Sequence, residues 1–85
     1  MALWHPKAGE VEISQVVAGM IERREQYWAL QGVNAKFSFN DRRMIERAMM
    51  DHRDSDADRM LNVAAYVVAQ IEKPWREKAH KAGTA

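Results

Sequence analysis

From Met60 to Ala69 the chain is apolar at nearly every position. Wound as a helix, its polar positions Arg59, Asn62, Tyr66, Gln70 and Lys73 recur at spacings of three and four and form one narrow stripe. The remaining positions (Met60, Leu61, Val63, Ala64, Ala65, Val67, Val68 and Ile71) need cover from several sides. A chain of 85 residues supplies about two or three neighbouring helices. Either these wrap the segment tightly, or a second copy or another protein completes the cover.

The same periodicity predicts two further helices. Val16, Val17, Met20, Ile21, Tyr27 and Trp28 form an apolar stripe over residues 14–31. Ser14 is the predicted N-cap, Ile13 a hydrophobic staple, and Gly32 the left-handed stop. A second helix is predicted over 40–52, with Met44, Ile45, Ala48 and Met49 inward and Met50 pointing away. Ser38 with Asp41 resembles a capping box, and Asn40 is the rival cap. The third helix is predicted over 56–72, its positive N-terminal end facing Asp56 and Asp58 and its C-terminal end set by Pro74.

Residues 1–12 read as an irregular lead-in broken by Pro6 and Gly9. Residues 74–85 read as a short tail with room for an extra helical turn after Pro74. The expectation is one all-α domain over residues 1–85, a small three-helix bundle with the third helix central. Trp4 and Trp75 are expected to pin the two tails to it.

Composition narrows the function classes. Hydrophobic content of 47% with 29% charged residues is that of a globular chain. A net charge of +1 implies neither a nucleic-acid nor a membrane partner. The absence of cysteine removes disulfides and zinc-thiolate chemistry and fits a cytoplasmic location. The N-terminal residues lack a signal-peptide pattern, and the longest apolar run falls short of the roughly 20 residues of a membrane span.

Little in the chain suggests catalysis or a cofactor. Asp54-Ser55-Asp56-Ala57-Asp58 alternates carboxylates as a calcium loop does, but Arg59 stands where that loop turns on glycine and Ala65 where it needs glutamate. It reads as a solvated turn, with no metal site. His52 is the best-placed candidate base, yet a helix C-terminal His bonding the last carbonyls is the simpler reading. No cofactor and no catalytic residue are expected.

Binding residues are easier to find. Arg24 interrupts the first helix's apolar stripe and must snorkel, pair with a carboxylate or face a partner. Together with Tyr27, Trp28, the loop aromatics Phe37 and Phe39, and Met50, it forms the expected protein-binding surface. Arg42, Arg43 and Arg47 offer a rival phosphate-binding set, weakened by interleaved acids and by a third helix too apolar to read bases. The functional expectation is a stoichiometric, non-enzymatic adaptor or inhibitor that self-associates, as a dimer, and binds another protein. Small phage-encoded inhibitors and antitoxins share this style. A nucleic-acid-binding regulator and a structural subunit of a larger assembly are the alternatives.

Overall fold

The computed structural model describes the backbone of residues 6–84 and the side chains of residues 12–81. Three helices form, α1 (Pro6–Leu30), α2 (Phe39–Asp51) and α3 (Ala57–Thr84), with no strand among the described residues. This is the all-α three-helix architecture that the apolar periodicity predicts. The molecule measures 55 × 21 × 18 Å. Its long axis is built by the 28 residues of α3 and the 25 of α1, rods of about 42 and about 38 Å at the α-helical rise, and exceeds either one alone.

Local chemistry explains the junctions. Gly32 takes φ 81°, and the Val33 and Gly32 amides donate to the Trp28 and Ala29 carbonyls at 2.8 and 3.0 Å. That is a Schellman stop, completed by Val33 packing with Trp28. Ser38 caps α2: its hydroxyl accepts from the Asp41 amide at 3.0 Å, and its own amide donates to the Asp41 carboxylate at 2.9 Å. Asn40 is not the cap. Asp56 opens α3 by accepting from the Arg59 amide at 2.8 Å.

The outer ends of the long helices depart from expectation. Helix α1 begins at Pro6, not Ser14. Proline suits a first helical position, where its missing N–H would lack an intrahelical partner anyway. Ile13 is buried inside the helix rather than stapled before it, and the Ser14 hydroxyl accepts a 2.9 Å hydrogen bond from Arg42 instead of capping. Helix α3 runs through Pro74 to Thr84, beyond the predicted end at residue 72. Pro74 and Gln70, whose carbonyl it cannot bond, both face solvent. Beyond them Trp75 and Ala79 pack against Trp28, Val33 and Ala35, which offsets the cost of a mid-helix proline. Trp75 is thus an anchor, as expected; Trp4 lies outside the described residues.

The core has two parts. Ile13, Val17, Ile45, Met49, Ala64 and Val68 form one apolar cluster, while Trp28, Val33 and Ala35 form the other with Trp75 and Ala79. The pairing of early α1 with early α3, and of late α1 with late α3, makes these helices run the same way with α2 antiparallel between them. Helix α2, not α3, is therefore the middle element: it packs on both long helices, which meet each other more sparsely.

Candidate functional site

Between the two apolar clusters lies a charged layer. Glu72, only 2% exposed, follows Ala64 and Val68 at intervals of four on the buried stripe of α3. Arg24 occupies the matching level of α1. Its Nε and Nη2 donate to Glu72 Oε2 and Oε1 at 2.6 and 2.9 Å, and Trp28 Nε1 donates to Oε2 at 2.9 Å. Arg76 adds a longer contact at 3.5 Å from one turn along α3. Hydrogen bonding to Glu72 raises the Arg24 pKa above its ordinary value despite partial burial. Tyr27 closes the outside, its ring 4.5 Å from the Arg24 guanidinium and edge-on to Trp28.

This geometry corrects part of the expected binding surface. Trp28 is 3% exposed, and Arg24, its side chain 36% exposed, is held in a bidentate ion pair, so both are engaged in the chain's own packing. Arg24 follows the carboxylate-pairing reading. Phe37 also turns inward, its amide donating to Glu25 at 2.9 Å and its ring 5.1 Å from that of Trp75. Arg42 leaves the phosphate-binding set as well: it pairs with Glu46 at 2.9 Å and reaches across to Ser14.

The outward half of α2 gathers what remains. A groove there is lined by Phe39, Arg43, Met44, Arg47 and Met50, with Ile13 of α1 at its edge. Phe39 is 75% exposed and Met44 45%. Two methionine expectations are thereby exchanged, for Met44 faces out while Met50 packs partly on the core. Met44 lies at the margin of the inward arc set by Ile45 and Met49, and its flexible side chain reaches solvent, contacting Asn40. Helical spacing makes the groove: Phe39, Arg43, Arg47 and Met50 fall at intervals of three and four on one side of α2.

Two of the groove's lining residues are arginines. The Arg43 guanidinium sits 5.9 Å from the Phe39 ring, and among the described residues neither Arg43 nor Arg47 forms an ion pair. Glu46, the acid between them, is engaged by Arg42; Asp51 stands at the far end. The groove therefore presents two cations outside any ion pair, with Asp51 at one end, beside exposed aromatic and thioether groups.

Elsewhere the side chains serve local structure. His52 Nδ1 lies 3.0 Å from the Ala48 carbonyl at the end of α2, the geometry of a helix C-terminal histidine. Among the described residues no group of three His, Asp or Glu side chains is placed to hold a metal, and no helix is long and apolar enough to cross a membrane. No protein-family model matches the chain, and no curated protein or solved structure is significantly similar to it.

Proposed function

We propose that this chain is a stoichiometric protein-binding module, an adaptor or inhibitor, whose contact surface is the outward groove of α2. The observation that carries this reading is Phe39, three-quarters exposed and flanked by Arg43 and Arg47, neither of which forms an ion pair among the described residues. Aromatic, Met and Arg side chains are those that concentrate binding energy at protein interfaces. Holding a bulky ring in water has no structural benefit here, since Phe39 occupies the first turn of a helix already capped by Ser38.

Chemistry selects the occupant. Helix α2 has 13 residues, a track of about 20 Å, which suits an amphipathic helix laid along it. Apolar side chains of that helix would meet Phe39, Met44 and Met50, and carboxylates beside them would meet Arg43 and Arg47. An acidic, amphipathic segment of another protein satisfies both. A nucleic acid would use the two arginines and stack on Phe39 but would leave the methionines unmatched.

Fluorescence anisotropy tests the choice, using labelled synthetic helices that carry leucine at i, i+3 and i+4 with flanking glutamates. Saturable binding that Phe39→Ser and Arg43→Glu/Arg47→Glu each abolish, and that charge-reversed peptides do not reproduce, is the expected result. Binding of an oligonucleotide with a steep salt dependence and no peptide binding would instead support a nucleic-acid regulator.

A further inference from the structure

The near-continuous apolar character of α3 is only partly covered by α1 and α2. Ala64 and Val68 are buried, yet Leu61, Ala65 and Tyr66 on the side turned from both neighbours remain exposed, Tyr66 at 68%, where they border the polar stripe of Arg59, Asn62, Gln70 and Lys73. We infer that this face binds a second copy of the chain, α3 against α3 in antiparallel orientation about a two-fold axis near Ala65 and Tyr66.

Charge is what identifies the occupant. The face carries Asp58 at its N-terminal end and Lys73 at its C-terminal end, both exposed and, among the described residues, neither in an ion pair. An isologous contact brings each end of one helix against the other end of its mate. Centred between Ala65 and Tyr66, antiparallel pairing sets Asp58 of each copy opposite Lys73 of the other, twice by symmetry. The same register lays each Tyr66 ring over Ala65 of the second copy, and these small side chains allow close approach. A parallel pairing would set Asp58 against Asp58 and Lys73 against Lys73. The α2 groove fails the same criterion. Antiparallel pairing of α2 would oppose Arg43 to Arg47, like charge to like, so that face suits a foreign acidic partner and α3 suits a copy of itself.

Sedimentation equilibrium on the full chain, at low and moderate salt, decides the matter. A closed dimer is expected. Asp58→Lys and Lys73→Asp should each weaken it roughly tenfold, and the double exchange Asp58→Lys/Lys73→Asp should restore it. Tyr66→Arg should give monomer with unchanged helical circular dichroism, which guards against a variant that merely unfolds. Arg43→Glu/Arg47→Glu should dimerise as the parent does, so loss of the α2 function and loss of the dimer are separately readable. A monomer at all concentrations, open-ended oligomers, or a dimer indifferent to Tyr66→Arg and to the charge exchanges would overturn the inference.

Discussion

The Arg24 guanidinium and the Glu72 carboxylate, 48 positions apart in the chain, meet through two hydrogen bonds in the layer that separates the two apolar clusters. Glu72 is the more deeply buried partner, so the pair is asymmetric to mutation. Removing Arg24 leaves a buried carboxylate with only Trp28 and a distant Arg76. Removing Glu72 leaves a partly exposed guanidinium that can turn to water, and an indole N–H that cannot.

Arg24→Met and Glu72→Ala should therefore each destabilise the fold by about 2–4 kcal/mol, the lower part of the range for breaking a buried pair because Arg24 is partly solvated. Glu72→Gln should cost less than Glu72→Ala, since its carbonyl still accepts from Trp28. Arg24→Met/Glu72→Met should cost less than the sum of the two corresponding single changes. Urea denaturation of this set measures all three relations, and strict additivity would mean the contact contributes nothing.

Gly32 has room for a methyl group but not the backbone conformation for one. Gly32→Ala should lower stability by about 1–2 kcal/mol, the cost of a left-handed residue with a Cβ. A thermal scan should show this as a fall of several degrees, whereas an unchanged midpoint would mean the Schellman stop can rearrange freely.

The capping assignments at the start of α2 separate cleanly. Ser38→Ala should cost about 1 kcal/mol, while Asn40→Ala, which removes only an exposed contact with Met44, should cost a few tenths at most. Chemical denaturation of the two variants side by side distinguishes them, and a reversal of the order would return the cap to Asn40.

Helix α3 beyond Pro74 is part of the fold, because Trp75 and Ala79 are packed against the end of α1 and the loop after it. Trp75→Ala should thus lower stability by about 2–3 kcal/mol, somewhat below the value for a fully buried tryptophan. Pro74→Ala should raise stability by about 1–2 kcal/mol, since it restores a hydrogen bond but loosens the unfolded chain. Hydrogen exchange at residues 75–81 should slow in the second variant and quicken in the first.

These elements show what a sequence makes legible. The stop at Gly32, the Ser38–Asp41 box, the α2 boundaries to within one residue and the start of α3 to within one residue depend on residues within a turn of one another, and all were readable. The extents of α1 and α3 were not. Ser14 and Pro74 carry local signals for helix ends, and tertiary burial of Ile13, Trp75 and Ala79 outweighs them. Arg24 was visible as a charge within an apolar stripe. Its partner Glu72 was missed; falling in step with Ala64 and Val68 is the signal that marks it as buried, but one stripe cannot say which residue of another it will meet. The proposed binding surface was half legible: Phe39, Arg43, Arg47 and Met50 were each singled out, under two competing readings. Their gathering on one side of α2, and the engagement of Arg24, Trp28 and Phe37 by the chain's own residues, needed the packing.

The central claim is that the outward groove of α2 receives an acidic amphipathic helix. Amide chemical-shift mapping of the labelled chain during titration with such a peptide tests it most directly. Saturable perturbations concentrated on residues 39–50, with residues 58–73 of the outer α3 face unmoved, are the predicted result. Perturbations absent from α2, or centred on another face, would contradict it.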